Sequence, residues 1–139
     1  MKGLKLYKEK LSGHNDSIIE LFSPKGEFGG LLISISCDGN LRIWDLFDKK
    51  ILTKYYLRRD PDNAYDDNGN LKRLDMKEYI EKAFFNENTV FCCYQDGSIW
   101  AWNIASGDLI YKFKGHEDKI TCGLMINPTC FVTGSYDRT

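Results

Sequence analysis

Residues 36–45 read SCDGNLRIWD, and residues 94–103 read YQDGSIWAWN. When the two stretches are aligned, they share an Asp-Gly pair, apolar residues at alternate positions and a tryptophan near the end. Asp-Gly between two β-prone runs predicts a tight hairpin, because glycine adopts positive φ without steric cost. Each stretch therefore predicts two antiparallel strands joined by a short turn.

The two hairpins belong to a repeat that runs through most of the 139-residue chain. Asp96 follows Asp38 by 58 residues, and Asp137 follows Asp96 by 41. A Gly-His pair occurs at 13–14 and again at 115–116, and in both cases Asp follows His by two residues and Ile by four. A fixed period of this length is typical of β folds built from repeated sheets.

The longer first interval indicates an insertion of about 17 residues, the difference between the two spacings. On the 41-residue register Tyr79 falls opposite Ile120, which places the extra residues at 57–73. This segment, LRRDPDNAYDDNGNLKR, is polar and contains Pro61 and the pair Asn68-Gly69, which are loop signals. We expect a loop between two strands.

The runs between the turns are short, rich in β-branched and aromatic residues, and partly alternating, which predicts strands rather than helices. In chain order the predicted strands are 17–22, 31–36, 40–44, 50–56, 77–85, 90–94, 98–102, 109–113 and 119–126. Four short strands per repeat predict an all-β fold of antiparallel sheets.

These residues resemble the repeats of the WD-repeat β-propeller family. The resemblance is carried by Gly13-His14, Asp38-Gly39, Ile43-Trp44-Asp45, Asp96-Gly97, Trp102-Asn103, Gly115-His116 and residues 135–139. It implies blades of four antiparallel strands in an incomplete, open propeller. The implied parts are an outer strand of a last blade at 3–12, blade one at 13–56, the insertion at 57–73, blade two at 74–114 and the start of blade three at 115–139.

A closed propeller contains about 4–8 blades, and closure protects the edges of its sheets. We therefore expect this chain to be the N-terminal fragment of a longer propeller. The alternative is a ring completed by other subunits or by further copies.

In WD repeats a His, a strand Ser or Thr, a turn Asp and a strand Trp form a hydrogen-bonded tetrad. The resemblance implies His14, Ser34 (or Ser36), Asp38 and Trp44 in the first repeat, with His116, Thr133 and Asp137 in the third. The second repeat has Asp75 in place of His and Cys92 in place of Ser or Thr, so we expect its tetrad to be broken.

A His, Ser and Asp trio is also found in hydrolases, but here the trio belongs to a repeat and no cleft or oxyanion hole is indicated. We expect no enzymatic activity. The five cysteines contain no CxxC pair and only two histidines are present, so neither a zinc site nor any other cofactor is expected.

Charge and hydropathy narrow the classes of partner. The 19 Lys and Arg nearly balance the 20 Asp and Glu, for a net charge of −1, so nucleic-acid binding is not expected. No apolar run of about 18 residues is present, so no membrane span or membrane partner is expected. An odd number of cysteines, without a CxxC pair, and the lack of a signal-type N-terminus predict an intracellular protein, cytoplasmic or nuclear.

The predicted function is a non-catalytic scaffold or adaptor that binds other proteins in a larger intracellular complex. The candidate partner-binding residues are Arg58, Arg59 and Tyr65 in the insertion, with Asn15, Cys37, Gln95, Glu117 and Tyr136 beside the turns. One alternative is substrate recognition in an F-box-type ubiquitin ligase. Another is a targeting domain attached to an enzyme encoded beyond Thr139.

Overall fold

The computed structural model describes residues 10–24, 30–57, 66–70 and 79–139. These residues form ten β-strands and no helix, which confirms the all-β prediction. The strands are β1 (Ile18–Phe22), β2 (Leu31–Ser36), β3 (Asn40–Asp45), β4 (Lys50–Tyr56), β5 (Ile80–Asn86), β6 (Thr89–Tyr94), β7 (Ser98–Asn103), β8 (Leu109–Lys114), β9 (Ile120–Asn127) and β10 (Cys130–Ser135).

The strands form three sheets in which every neighbouring pair is antiparallel and consecutive in sequence. The first sheet has the order β1-β2-β3-β4, the second β5-β6-β7-β8, and the third contains only β9 and β10. The prediction of four-stranded antiparallel sheets that do not close into a ring is therefore confirmed. Among the described residues no helix could cross a membrane.

The Asp-Gly pairs form the two predicted hairpin turns. Gly39 and Gly97 have φ of 74° and 79°, and each N–H donates to the carbonyl three residues earlier, at 3.0 and 3.1 Å. The Asp38 carboxylate accepts from the N–H of Asn40 at 2.9 Å. The Asp96 carboxylate accepts from the N–H of Ser98 at 3.0 Å. Each Asp thus fixes the start of the strand that follows its turn.

The second sheet lies between the other two and packs on both. Because neighbouring side chains of a strand point to opposite faces, alternate residues of β6 serve different cores. Cys92 and Tyr94 belong to a core shared with the first sheet, and Phe91 and Cys93 to a core shared with the third. The first core includes Ile33, Ile35, Leu41, Val90 and Trp102, and the second Phe84, Ile99, Ile120 and Phe131.

The structure differs from the sequence alignment at β9. Ile120 pairs with Ser135 as Ile80 pairs with Tyr94, so Ile120 corresponds to Ile80 and not to Tyr79. The cause is an irregular register at the start of β10, where Cys130 opposes Asn127 and the next residue opposes Met125. A bulge of this kind adds one residue to a strand without changing the sheet order.

Leu57, which the sequence places at the start of the insertion, is a buried core residue. Its N–H donates to the carbonyl of Gly39 at 2.8 Å, and its carbonyl accepts from the Tyr94 hydroxyl at 3.0 Å. Leu57 thus connects the first and second sheets. Within the insertion, residues 66–70 form a tight turn in which Gly69 has φ of 78°.

Several sequence predictions lie outside the described residues. They are Arg58, Arg59 and Tyr65 of the insertion, Asp75, the start of the strand predicted at 77–85, and most of the outer strand predicted at 3–12.

Candidate functional site

The first sheet brings His14, Ser34, Asp38 and Trp44 together in one hydrogen-bonded chain. His14 Nε2 lies 2.7 Å from Ser34 Oγ, and the Trp44 indole N–H donates to the same oxygen at 2.8 Å. His14 Nδ1 lies 3.3 Å from Asp38 Oδ2. In a neutral imidazole protonated at Nδ1, that N–H donates to Asp38 and Nε2 accepts from the Ser34 hydroxyl, so every group has a partner.

The alternative serine, Ser36, serves another contact. Its hydroxyl donates to the carbonyl of Asp16 at 3.1 Å and accepts from the N–H of Asp38 at 3.2 Å. Ser36 therefore holds the loop before β1 against the turn after β2, and Ser34 is the serine next to the imidazole.

The third sheet repeats the arrangement around His116. Its Nε2 lies 2.9 Å from Thr133 Oγ1, and its Nδ1 lies 2.9 Å from Asp137 Oδ2. The Thr139 hydroxyl also donates to the Asp137 carboxylate, at 2.6 Å. The same three groups thus meet at the end of the chain with closely similar distances.

The second sheet lacks the arrangement. Cys92 occupies the place of Ser34. The correspondence of Ile120 with Ile80 moves the position of the histidine from Asp75 to Met76, and both lie outside the described residues. The Trp102 indole nitrogen is enclosed and has no hydrogen-bond partner in the described part of the chain. Trp102 therefore packs as an apolar side chain, whereas Trp44 also donates a hydrogen bond.

The environment of each group fixes its protonation. Burial is the main cause that lowers the pKa of His14 below 6.5, although the Asp38 carboxylate acts in the opposite direction. Burial alone would raise the pKa of Asp38, but hydrogen bonds from Asn15 and Asn40 outweigh it and the pKa falls. The Thr139 hydroxyl is the first cause that lowers the pKa of Asp137. The carboxylates are therefore ionised and the His14 imidazole neutral near pH 7.

In the first sheet these contacts leave Ser34 closed to a substrate. Ser34 is 2% exposed, and its oxygen already bonds both the imidazole and the indole. A serine nucleophile must be open to its substrate. Among the described residues no group of three or more His, Cys, Asp or Glu side chains could hold a metal ion.

Three of the five cysteines have a raised pKa. Burial and the carboxylates of Asp16, Glu81 and Asp38 raise the pKa of Cys37. Burial raises the pKa of Cys93 to about 12, and that of Cys92 is raised well above its usual value for the same reason. A thiol must ionise to act as a nucleophile, so these three side chains are unreactive near pH 7.

The turn carboxylates also hold exposed backbone at the same edge of the sheets. The N–H of Asn15 donates to Asp38 Oδ2 at 3.0 Å, and the N–H of Glu117 donates to Asp137 Oδ2 at 3.0 Å. The side chains of Asn15 and Glu117 are both exposed. Corresponding residues of two repeats are thus fixed by the same bond.

Residues just before the turn Asp follow a second shared pattern. The N–H of Cys37 donates to the Ser17 carbonyl at 2.9 Å, and that of Tyr136 donates to the Lys119 carbonyl at 3.1 Å. Tyr136 is 61% exposed, and Cys37 is half-buried. With the half-buried Gln95 of the second sheet, these residues form what we call the turn face: Asn15, Cys37, Gln95, Glu117 and Tyr136.

Arg42 and Lys54 are not among the site residues that the sequence predicts. Arg42 lies two residues before Trp44, so strand alternation places both side chains on the same face as Ser34. Lys54 lies directly opposite Arg42 on β4. Strand alternation would have indicated Arg42, but only the register reveals the cross-strand pair.

The family model described as "WD domain, G-beta repeat" matches residues 5–45 and 107–139, more than half of the chain. The chain belongs to the WD-repeat family. WD-repeat domains generally mediate protein–protein interactions and are generally non-catalytic.

Two curated relatives are longer than this chain. Cell division control protein 4 of Candida albicans is 29% identical over 110 residues, which cover 79% of this chain and 13% of that protein. The U3 small nucleolar RNA-associated protein 15 homolog of Gallus gallus is 26% identical over 113 residues, which cover 80% of this chain and 19% of that protein. The WD-repeat chain thus spans less than a fifth of either relative.

Solved structures show the same fold. The WD40 β-propeller domain of Doa1 has a TM-score of 0.63 at 16% identity, over 91% of this chain and 36% of that chain. The RRP9 WD40 repeats have a TM-score of 0.57 at 18% identity, over 79% and 29%. These similarities support the propeller fold of the WD-repeat chain and carry no information on its partners.

Proposed function

We propose that this WD-repeat chain is a non-catalytic scaffold that holds other proteins together in a larger intracellular complex, and that the turn face is its binding surface. One observation carries the proposal. Asn15 and Glu117 are exposed at corresponding positions, and each is fixed by a 3.0 Å bond from its N–H to a turn carboxylate.

Fixed backbone favours binding because less conformational entropy is lost when a partner docks. The bonds that hold the turn face are the same in the first and third sheets, while the side chains they present differ: Asn15 against Glu117, and Cys37 against Tyr136. Backbone hydrogen bonds shared by two repeats, with different side chains on them, are the arrangement expected of a surface that recognises a specific protein.

Composition favours protein over nucleic acid as the partner. The net charge of −1 gives no general attraction to phosphate backbones. One relative is named for its association with the U3 small nucleolar RNA, and that description applies to the relative. The exposed aromatic ring of Tyr136 is a residue type enriched at the centres of protein interfaces.

The experiment compares two tyrosines of equal exposure in the full-length protein. Tyr136 belongs to the turn face, and Tyr111 lies on the outer strand β8; each is 61% exposed. We expect Tyr136→Ala to lose, by at least tenfold in quantitative affinity purification, a set of proteins that the wild type and Tyr111→Ala both retain. The strongest of these is then tested for direct binding with purified components.

Glu117→Lys provides an independent variant on the same surface, and we expect it to lose the same set. The proposal is wrong if both turn-face variants retain every co-purifying protein, or if Tyr111→Ala loses the same proteins as Tyr136→Ala.

We extend the proposed surface to the insertion at 57–73, where Arg58, Arg59 and Tyr65 are interface-type residues. The link from β4 to β5 covers residues 57–79, whereas that from β8 to β9 covers only 115–119. Deletion of 58–72 leaves eight linking residues and retains Leu57, so we expect the fold to persist and partner binding to weaken. Loss of the folded state, measured by circular dichroism, would instead make the insertion structural.

A further inference from the structure

Two cationic side chains lie opposite each other in the first sheet. Arg42 of β3 lies directly opposite Lys54 of β4, on the same face as Ser34. The Arg42 guanidinium carbon lies 6.0 Å from the centre of the Trp44 ring. Like charges directly opposite each other on a sheet destabilise it, so an anion bound between these two side chains would be stabilising.

No described residue supplies that anion. Arg42 is 5% exposed, and its Nε is enclosed without a hydrogen-bond acceptor. In the described ranges neither Arg42 nor Lys54 has a carboxylate within ion-pair distance. The Lys54 ammonium instead donates to the neutral Tyr56 hydroxyl at 2.7 Å. A guanidinium buried without a partner is unfavourable, and its attraction for a carboxylate is strong.

The positive charges of Arg42 and Lys54 act on the His14 imidazole. The backbone of Gly13 packs against one side of the site. Arg42 and Lys54 both act to lower the pKa of His14, which shows that their positive potential reaches the imidazole. A Cβ at position 13 would overlap Arg42 Nη1, so the backbone of Gly13 lies against the guanidinium. The guanidinium is therefore closely packed on the side of Gly13.

The second sheet shows that the repeat does not require a pair of cations here. Trp100 occupies the place of Arg42, and Lys112 lies opposite it. The Lys112 ammonium sits 4.1 Å from the centre of the Trp100 ring, a favourable cation–π contact. The same two positions thus hold an aromatic ring and a cation in the second sheet and two cations in the first.

We propose that Arg42 and Lys54 form a carboxylate-binding site, and that its occupant is an Asp or Glu side chain of an acidic segment of a partner protein. The planar guanidinium suits a carboxylate, whose two oxygens accept parallel N–H bonds, and the exposed Lys54 attracts negative charge toward the site. Neither residue belongs to the turn face, so failure of this site would leave the proposed function unchanged.

The test follows the Arg42 Nε–H resonance in the ¹H–¹⁵N spectrum of the full chain during titration at constant ionic strength. The probes are a hexaglutamate peptide, the neutral hexaglutamine peptide and inorganic phosphate. We expect hexaglutamate to shift the resonance in a saturable way, hexaglutamine to leave it unmoved, and phosphate to have a much weaker effect.

Matched variants locate the site by anisotropy of labelled hexaglutamate. We expect Lys54→Met, at an exposed position that should fold normally, to weaken binding at least fivefold, and Arg42→Gln to weaken it further. Lys112→Met changes the corresponding lysine of the second sheet and should leave binding unchanged.

Three outcomes overturn the proposal. The first is an Arg42 resonance that no probe moves. The second is a shift with phosphate as strong as that with hexaglutamate, which would indicate a phosphate or nucleic-acid ligand. The third is equal loss of peptide binding in Lys54→Met and Lys112→Met, which would indicate non-specific attraction to surface lysines.

Discussion

At the scale of single residues, the chain contains its own comparison between a hydrogen-bonded and an unbonded tryptophan. Trp44 and Trp102 occupy corresponding strand positions, and both are nearly buried, at 4% and 6% exposure. The Trp44 indole donates to Ser34 at 2.8 Å, whereas the Trp102 indole has no partner among the described residues. The pair separates the contribution of one hydrogen bond from that of ring burial.

Replacing each tryptophan by phenylalanine should therefore have unequal effects. Both changes remove similar volume, but Trp44→Phe also removes a buried hydrogen bond, worth about 1 kcal/mol, while Trp102→Phe removes an unsatisfied donor. We expect Trp44→Phe to be the more destabilising by roughly 1–2 kcal/mol in urea unfolding. Equal losses of unfolding free energy would show that the indole bond contributes nothing.

The neutral state of His14 makes stability depend on pH. The folded-state pKa is lowered by burial, so between that pKa and 6.5 the unfolded chain binds the extra proton. Stability from this residue is complete above pH 6.5 and is lost as the pH falls through the folded-state pKa. We expect the free energy of unfolding to decrease between pH 7.5 and 5.5, and His14→Gln to reduce that decrease. A wild-type chain that gains stability on acidification would contradict this.

At the scale of the structural element, turns are limited by what lies beside them. Gly97 and Gly69 have nearly the same φ, 79° and 78°. A Cβ at Gly97 would meet the backbone of His116 and Asp118, whereas one at Gly69 would have no described residue within 4 Å. The Asp96-Gly97 turn thus packs on the loop of the third sheet, while Gly69 has no such neighbour among the described residues.

Alanine at the two glycines should therefore differ in cost. Gly69→Ala carries only the left-handed backbone penalty of about 1–2 kcal/mol. Gly97→Ala adds overlap with rigid backbone, for roughly 1–3 kcal/mol more. Thermal or urea unfolding of both variants measures the difference. A Gly97→Ala chain as stable as Gly69→Ala would mean that the turn does not pack on residues 116–118.

The strands and hairpins could be predicted because their signals are local. Asp38-Gly39 and Asp96-Gly97 carry the turn chemistry in two residues, and alternation in the flanking runs gives the strands. The bulge that shifts Ile120 by one position has no local signature, since either register keeps apolar residues facing the core. The burial of Leu57 depends on Tyr94, which is 37 residues away.

The candidate site was predictable to a similar degree. The positions of His14, Ser34, Asp38 and Trp44 follow from the repeat, but the choice between Ser34 and Ser36 needs the strand register. The pair of Arg42 and Lys54 was not predicted, because it stands out only through the lack of a nearby carboxylate in the described structure. Whether a carboxylate lies near two cationic side chains depends on the three-dimensional fold and cannot be read from the sequence.

At the scale of the whole molecule, the second sheet connects the other two. Phe84 stacks on Phe91 with 5.0 Å between ring centres and lies 5.4 Å from Phe131 of the third sheet. Phe84→Ala should cost about 3–5 kcal/mol and release β9 and β10 before the first sheet. Phe47, which is 81% exposed, offers the matched control, with a change within about 0.5 kcal/mol.

Hydrogen exchange measures the order of release. We expect amides of β9 and β10 in Phe84→Ala to exchange faster than in the wild type, while amides of β2 and β3 keep their protection. Uniform acceleration in all three sheets would mean that the molecule unfolds as one cooperative unit.

The carboxylates of Asp38 and Asp137 bind Asn15 and Glu117 through the main-chain N–H groups of these two residues. Nineteen of the twenty amino acids carry that group, and proline alone does not. Any substitution except one to proline can therefore change the side chain at these two positions and keep the hydrogen bond to the turn carboxylate. In a family whose members bind different partners with the same fold, substitution at such positions changes the binding surface with the least loss of stability.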